Sequence, residues 1–236
     1  MKPQLFLLHY AGGNCYSYQF LMPFITDQFE VIATELPGRG RRVLEPLVST
    51  RSEAMMDLAM LIKNKWNGLP YITYGHSMGA ILTPGIVNML TRVGAAPVAC
   101  VVSGCATPVI PEGLERHKLP QDELAVVLRD MGGVPLEYFQ SKELIEFFEP
   151  IVRADFKIAE EAAPAESIPV IGAPIHNIMG TEEFFLDRVQ EWQQFTTGEF
   201  THELMEGAHF FIHNHPKALG ARIKEIYDRY LVHANG

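Results

Sequence analysis

Short apolar runs alternate with segments of helical periodicity along most of the chain. Such runs are typical of strands that a sheet buries on both faces. They cover Leu5–Leu8, Phe29–Leu36, Tyr71–Tyr74, Pro97–Ser103, Pro174–Met179 and Phe200–Met205. Apolar residues at helical spacing predict helices over Phe20–Ile25, Arg51–Trp66, Ile81–Leu90, Val189–Phe195 and Pro216–Val232. The alternation predicts an α/β fold with a mostly parallel, doubly wound sheet.

Residues 107–169 interrupt this alternation, because they contain no convincing strand. Amphipathic helices are predicted over Pro120–Met131 and Leu144–Phe156, joined by Gly-Gly-Val-Pro at 132–135. A helical insertion of this size between two core strands is typical of a lid over an active site. Its apolar residues can pack among themselves, line an acyl channel, or do both. We therefore expect one domain over residues 1–236, with a helical lid insertion at 107–169.

Residues Gly75–Gly79 read Gly-His-Ser-Met-Gly and lie between a predicted strand and a predicted helix. This G-x-S-x-G pattern forms a sharp turn that strains the backbone at Ser77 and lifts its hydroxyl above the sheet. The flanking glycines leave room for neighbouring elements, and the helix N-terminus favours a developing negative charge. A chance match without chemistry is the alternative. The strand before and the helix after favour Ser77 as a nucleophile.

The loop after the first strand contains the sequence His-Tyr-Ala-Gly-Gly at His9–Gly13. Glycines after a buried strand let the backbone turn tightly and approach a ligand closely. In α/β-hydrolases this loop donates one N–H of the oxyanion hole, and the residue after the nucleophile donates the other. We therefore predict the backbone amides of Ala11 and Met78 as oxyanion donors. If Ser77 were absent from the sequence, we would interpret Gly12-Gly13 as a simple strand–helix turn. His9, at the end of the strand, is predicted to have a structural role rather than to act as a base.

A carboxylate follows the penultimate strand, where many hydrolases place the acid of the triad as G-x-x-D. Gly180-x-x-Glu183 fits this pattern with Glu in place of Asp, so Glu183 is the predicted acid. Glu182 is the alternative, and Asp187 lies further along. The two glutamates can instead only begin a helix, where negative charge is favourable.

His209 lies in a glycine-containing loop after the last predicted strand, which is the expected position of the base. His213 and His215 are its rivals. His213 lies four residues on and points elsewhere if it is helical, whereas His215 precedes Pro216 and is typical of a helix start. The order Ser77, acid, His209 is that of the α/β-hydrolase fold, which we therefore predict.

Composition and charge exclude several classes of function. With 236 residues, 47% of them hydrophobic and 20% charged, the chain has an ordinary globular composition. Its net charge of −9 argues against nucleic acid as a partner. No apolar run is long enough to span a bilayer, and no secretory signal pattern is present. Cys15, Cys100 and Cys105 lack Cys-x-x-Cys spacing, which indicates free thiols. We expect a cytoplasmic protein with no metal and no membrane contact.

Four motifs and three phrases of the insertion are similar to sequences of the type II thioesterases of nonribosomal peptide and polyketide pathways. The motifs are His9–Gly13 (HYAGG), Pro37–Gly40 (PGRG), Gly75–Gly79 (GHSMG) and Gly207–Phe211 (GAHFF). The phrases are Leu119–Pro120, Met131–Pro135 and Val152–Phe156. The chain departs from the family at its acid, which is usually Asp, and at His9, which replaces a proline.

The resemblance implies hydrolysis of acyl groups from the phosphopantetheine thiol of carrier proteins, which clears misprimed or stalled chains. It implies Ser77 as nucleophile and His209 as base. It implies no cofactor of the enzyme's own, because the substrate carries the phosphopantetheine. The carrier protein is the implied partner. Carriers are normally acidic, so a local basic patch has to offset the repulsion. We predict docking at Arg39, Arg41 and Arg42, or at Arg116–Lys118.

Two other functions are compatible with parts of this pattern. A carboxylesterase acting on small or medium-chain esters would use the same triad, although the lid and the PGRG motif argue against it. A non-catalytic binding protein of the hydrolase fold would have no need of Ser77, His209 and a carboxylate together.

Overall fold

Six parallel strands form one sheet in the computed structural model, which describes residues 1–134 and 136–234. The strands are β1 (Gln4–Leu8), β2 (Glu30–Ala33), β3 (Tyr71–His76), β4 (Ala99–Ser103), β5 (Ile175–Gly180) and β6 (Phe200–Met205). Pro135, part of the predicted joint between the insertion helices, lies outside the described residues. The parallel pairing of all neighbouring strands confirms the predicted sheet.

The strand order β2-β1-β3-β4-β5-β6 creates a switch point between β1 and β3. From β1 the chain turns outward to β2, whereas β3 and the later strands lie on the other side. The loops that leave the carboxyl ends of β1 and β3 therefore diverge and open a crevice. Leu8 and Gly75 pair at these ends, so the loop after β1 and the turn at Ser77 face each other across it.

Helices cover both faces of the sheet, and β1 shows how the faces divide. Its alternate side chains Leu5 and Leu7 pack with α5 (Pro216–Ala234) on one face. Phe6 and Leu8 pack with α1 (Arg51–Lys65) and α2 (Met78–Arg92) on the other. This alternation follows from the period of two in a strand, and it explains why the predicted strand reads as a continuous apolar run.

The insertion at 107–169 is mainly helical, as predicted, with α3 at Gln121–Met131 and α4 at Lys142–Glu160. Helix α4 starts earlier than the pattern indicated because the Ser141 side chain caps it by accepting a hydrogen bond from Leu144 N. Short 3-10 segments lie at Arg116–Lys118, Leu136–Gln140 and Ala165–Ser167. The side chains of Leu124, Leu128, Tyr138, Val152 and Phe156 form a cluster inside the insertion.

Three predicted elements differ from the structure. Strand β2 ends at Ala33 rather than at 36, because Glu35 turns out of the sheet and its carboxylate accepts a hydrogen bond from Arg41 N. The segment Gln19–Phe24 is a 3-10 helix containing Pro23, which lacks an N–H donor. Leu186–Phe195 is also 3-10, and its buried side chains Val189, Trp192 and Phe195 recur every third residue, which matches three residues per turn.

The three cysteines, Cys15, Cys100 and Cys105, are free, as predicted, and all three are buried. Among the described residues, no helix has the length and apolar character needed to cross a membrane.

Candidate active site

Ser77 occupies a strained turn between β3 and α2. Its φ of 54° and ψ of −115° lie where residues other than glycine are rarely found. A Cβ at Gly75 would lie 2.5 Å from Gly79 O, and one at Gly79 would lie 2.3 Å from Leu8 O. Both glycines are therefore required for the turn to pack. Ser77 N donates to Ser103 O at 2.8 Å, which ties the turn to the end of β4.

A hydrogen-bonded chain joins Ser77, His209 and Glu183. Ser77 Oγ lies 3.0 Å from His209 Nε2, and His209 Nδ1 lies 3.0 Å from Glu183 Oε2. Because an ionised carboxylate only accepts, Nδ1 donates to Glu183 and Nε2 is left to accept the serine proton. The His209 side chain is 18% exposed and that of Glu183 is 10% exposed. The His209 imidazole can thus take the proton of the Ser77 hydroxyl while Glu183 orients the ring, in a site that is largely shielded from water.

The turn after β5 selects Glu183 over its neighbour. Thr181 N donates to Met205 O, and Glu182 N donates to Gly207 O at 3.0 Å, so the chain runs beside the loop that carries His209. Glu182 is exposed, whereas the side chain of Glu183 reaches the imidazole. Asp187 is also exposed. The structure therefore brings Glu183 to the base and leaves the alternative carboxylates in solvent.

The competing histidines are held by other groups. His9 is buried; its Nδ1 donates to Tyr10 O, and its Nε2 accepts from Leu36 N. Burial, reinforced by Arg39, lowers the pKa of His9 to about 4. The ring of His213 packs between Phe20 and Phe210. His215 Nε2 donates to Glu206 O and lies on the exposed side of its loop.

The loop after β1 aims the Ala11 amide away from its own turn. Tyr10 O accepts from Gly13 N at 2.9 Å and from His9 Nδ1 at 2.8 Å. In a trans peptide the C=O and the following N–H point in opposite directions, so the N–H of Ala11 faces away from both partners. Ala11 and Ser77 line the same pocket. Met78 N is at the first turn of α2, where amides have no partner within the helix.

A pocket of about 330 Å³ opens at Ser77 and His209 and is mainly apolar. Helix α4 contributes Leu144, Phe148, Val152 and Phe156, and α3 contributes Leu128 and Met131. The insertion helices therefore do both things considered for them: they pack among themselves and they line a channel. Its other lining residues are Tyr10, Ala11, Gly12, Gly132, Gly133, Val134, Tyr138 and Phe210.

The prediction that the basic patches dock the carrier is wrong for Arg39, which is buried, whereas Arg42 and Arg116 are half-buried and Arg41 and Lys118 are exposed. Arg39 is buried in an ion pair with Asp155. Arg42 pairs with Glu45 and Asp57. Arg116 pairs with Glu160 at the end of α4. Each of these three cations therefore has a carboxylate partner, which reduces the positive charge that it presents to a carrier. Arg41 is exposed and lies over the Tyr16 ring.

Sequence reasoning missed two buried side chains beside the site. His76 packs against His209, with 5.0 Å between ring centroids. Asp155 is buried between Arg39 and the loop after β1. No local pattern marks either residue, although the GHSMG and VRADF motifs contain them. Among the described residues, no cluster of His, Cys, Asp and Glu is arranged to hold a metal ion.

Comparisons with known proteins agree with this arrangement. Residues 3–227 match the family model of the thioesterase domain. The chain is 31% identical to a protein of Brevibacillus parabrevis named linear gramicidin dehydrogenase LgrE, over 98% of this chain and 90% of that one. ClbQ from the colibactin NRPS/PKS pathway has a TM-score of 0.89 at 26% identity, covering 98% and 99% of the two chains. BorB, the type II thioesterase of the borrelidin cluster, has a TM-score of 0.85 at 27% identity, covering 96% and 93%. These likenesses confirm the predicted α/β-hydrolase fold.

Proposed function

Because this chain belongs to the thioesterase family, with type II thioesterases of nonribosomal peptide and polyketide pathways among its relatives, we propose that it hydrolyses acyl groups from the phosphopantetheine thiol of carrier proteins. The observation that supports this most is the chain of hydrogen bonds from Ser77 through His209 to Glu183, which ends in an apolar pocket. A nucleophile at the mouth of such a pocket suits a substrate that joins a polar reacting carbonyl to an apolar acyl chain.

In the first half-reaction, His209 Nε2 takes the proton of Ser77 while Oγ attacks the thioester carbonyl carbon. The carbonyl oxygen becomes an oxyanion, which the amides of Ala11 and Met78 are placed to stabilise; one such donor contributes about 3–4 kcal/mol in comparable enzymes. The C–S bond then breaks, His209 returns the proton to the leaving thiolate, and the acyl group stays on Ser77 as an ester.

In the second half-reaction, water attacks the acyl-enzyme and passes its proton to His209. Collapse of the second oxyanion releases the carboxylic acid, and His209 returns the proton to Ser77. Glu183 holds the imidazole in the tautomer that this requires and stabilises the imidazolium when it forms. The insertion acts as a lid whose helices α3 and α4 shield the acyl chain from water.

The name of the Brevibacillus relative raises a dehydrogenase as a competing function. A dinucleotide site needs a G-x-G-x-x-G loop between a strand and a helix, because the helix N-terminus binds the pyrophosphate. The corresponding loop here reads His-Tyr-Ala-Gly-Gly-Asn and is closed by its own hydrogen bonds. The site holds a nucleophile and a base instead, which favours hydrolysis.

The proposed substrate is tested by comparing three molecules that carry the same acyl group: the acyl-loaded carrier protein, its pantetheine thioester and its ethyl ester. We expect the highest kcat/KM for the loaded carrier, and no turnover of any of them by Ser77→Ala. Faster hydrolysis of the ethyl ester than of both thioesters would support a carboxylesterase. Absence of turnover and of a covalent adduct with a fluorophosphonate would support a non-catalytic binding protein.

Docking of the acidic carrier is proposed at Arg41, the most exposed member of the first predicted patch. Arg41→Glu is expected to raise KM for the loaded carrier and to leave KM for the pantetheine thioester unchanged. Equal effects on the two substrates would contradict docking at this position.

A further inference from the structure

Asp155 of helix α4 is buried between the insertion and the loop after β1. Its Oδ2 accepts a hydrogen bond from Gly12 N at 2.7 Å. Its two carboxylate oxygens also accept from both terminal nitrogens of Arg39, with 2.8 Å between Nη2 and Oδ1. The side chains are 2% exposed for Arg39 and 0% for Asp155. One carboxylate thus joins three segments of the chain: the PGRG motif, helix α4 and the loop that carries Ala11.

The loop is held at each peptide next to Ala11. The peptide before Ala11 is fixed because Tyr10 O accepts from Gly13 N and from His9. The peptide after it is fixed because Gly12 N donates to Asp155. Arg39 also donates to Gly13 O at 3.4 Å. Of these restraints, only the one on Gly12 N comes from the insertion. The Ala11–Gly12 peptide is the middle peptide of the turn that Gly13 N and Tyr10 O close. Without its bond to Asp155 this peptide can rotate, which loosens the turn and with it the hold of Tyr10 O on the Ala11 amide.

A buried carboxylate needs donors for its remaining lone pairs, and here the loop after β1 supplies one of them through Gly12 N. Burying two charges costs desolvation energy, and apolar side chains of similar size often stabilise a core equally well. A bidentate Arg–carboxylate pair instead supplies fixed geometry. Here the pair fixes the position of the Asp155 oxygen that accepts the hydrogen bond from Gly12 N.

We propose that Asp155, oriented by Arg39, is a positioning residue that aims the Ala11 amide at the oxyanion, so that this donor is in place only when helix α4 is seated on the loop. The inference rests on the proposed function, since it assigns Ala11 to the oxyanion hole. It also links that hole to the acyl pocket. Val152 and Phe156 flank Asp155 on the same helix and line the pocket, and Val152 Cγ2 lies 3.2 Å from the position of a Cβ on Gly12. An acyl chain that packs against α4 therefore also seats the residue that holds the oxyanion loop.

The test compares two double variants that both remove the buried charges. In Arg39→Met/Asp155→Asn, the amide oxygen of the new side chain can still accept from Gly12 N. In Arg39→Met/Asp155→Leu, a side chain with the same number and branching of heavy atoms cannot. Arg42→Met/Asp57→Leu is the control, because it removes an ion pair that lies beside the PGRG segment and has no contact with the loop after β1.

The reaction measured is phosphonylation of Ser77 by an alkyl fluorophosphonate, followed by intact mass. Ser77 Oγ attacks phosphorus, fluoride leaves, and His209 takes the serine proton, so the reaction needs the oxyanion donors but no thioester. The first-order rate constant is taken at saturating probe from the fraction of enzyme that reacts. Unfolded protein therefore lowers the amplitude and leaves the rate constant unchanged.

We expect the Leu variant to react about 10- to 100-fold more slowly than the Asn variant, with the half-saturating probe concentration of the two within about threefold. The Arg42/Asp57 control is expected to react at the wild-type rate. Equal rate constants for the Asn and Leu variants would overturn the proposal. Wild-type enzyme that is phosphonylated but does not hydrolyse acyl-loaded carrier would contradict the proposed function alone.

Discussion

His76 packs against the imidazole of His209, with ring centroids 5.0 Å apart and the ring planes inclined at 45°. Its own ring is buried, and its Nδ1 lies 2.8 Å from Ser103 Oγ. Burial holds the pKa of His76 well below the usual value for histidine, and the nearby His209 lowers it further. His76 is therefore an uncharged ring whose contact with the His209 ring limits how far that ring can turn.

Gly104→Ala is expected to displace the ring of His76 toward the imidazole of His209. A Cβ at Gly104, whose φ is +59°, would lie 2.3 Å from Cε1 of His76. We expect kcat for thioester hydrolysis to fall by about 10-fold or more, because small displacements of a catalytic group are costly. The free energy of unfolding should fall by more than the roughly 1–2 kcal/mol that a left-handed alanine costs by itself.

Gly94→Ala is the matched control for that variant. Gly94 has a φ of +66°, and no atom lies within 4 Å of the position of its Cβ. In a denaturant titration, the Gly94→Ala variant should therefore lose only the free energy of unfolding that a left-handed alanine costs. Its kcat should equal that of wild type. Equal losses of kcat in the two alanine variants would contradict the role assigned to His76.

Glu183→Gln should lower kcat by about 10³- to 10⁴-fold, because an amide neither fixes the required imidazole tautomer nor stabilises the imidazolium. Glu182→Gln makes the same chemical change one residue away, at an exposed position. It should leave kcat within about twofold of wild type. Steady-state hydrolysis of one acyl-pantetheine thioester measures both variants, and a larger loss in the Glu182 variant would reverse the assignment.

The spacing after Gly180 predicts Glu183 but leaves Glu182 open as the acid, whereas the elbow at Ser77 is decided by the sequence around it. The elbow is a local pattern: two glycines, a preceding strand and a following helix decide it together. The acid depends on how the turn after β5 is bonded to the loop after β6, through contacts such as Glu182 N to Gly207 O. Adjacent residues have no feature of their own that reveals such a contact.

The partner of Arg39 is even harder to predict from the sequence than the acid of the triad. In the sequence it belongs to a run of three arginines in a glycine-rich loop, which is typical of a solvated patch. Its partner Asp155 lies 116 residues further along, inside the insertion. The PGRG and VRADF motifs are both visible in the sequence, but only the folded chain shows that Asp155 of one is the counter-ion of Arg39 in the other.

Phe148→Ala should lower kcat/KM for substrates whose acyl chains are long enough to reach that side chain. Phe148 lines the pocket, and losing the burial of an aromatic ring against an acyl chain corresponds to about 1.5–3 kcal/mol, or roughly a 10- to 100-fold fall in kcat/KM. The next residue supplies the control, because Phe147 is 51% exposed and lies outside the pocket lining. A series of acyl-pantetheine thioesters measures the effect. A loss that is the same for acetyl and for longer chains would argue against an acyl pocket here.

The stability of the fold should fall with acidification through His9. Its pKa is lowered from 6.5 to about 4, mainly by burial. The unfolded chain therefore binds a proton near pH 6.5 while the folded chain does not. The contribution of His9 to the free energy of unfolding is fully present above this pH. Below it, the free energy of unfolding falls by at most about 1.4 kcal/mol per pH unit through this residue. Between about pH 7 and pH 5 the contribution is a loss of roughly 2 kcal/mol.

Urea titrations of wild type and His9→Asn at these two pH values measure that contribution. The asparagine amide can donate to Tyr10 O as Nδ1 does, but it does not titrate, so the variant should lose less stability on acidification. His202→Asn, at an exposed position of β6, should keep the pH dependence of wild type. An unchanged dependence in the His9 variant would show that His9 is not the group responsible.

Hydrolysis through an acyl-Ser77 intermediate is tested by the fate of the acyl group on an acyl-loaded carrier protein, followed by intact mass with wild type and with Ser77→Ala. Wild type is expected to release the free acid, and rapid quenching should trap the acyl mass on the peptide containing Ser77. Ser77→Ala, with His209 and Glu183 still in place, should leave the carrier loaded and carry no acyl group itself. Acyl loss from the carrier at the wild-type rate in Ser77→Ala would show that Ser77 is not the nucleophile.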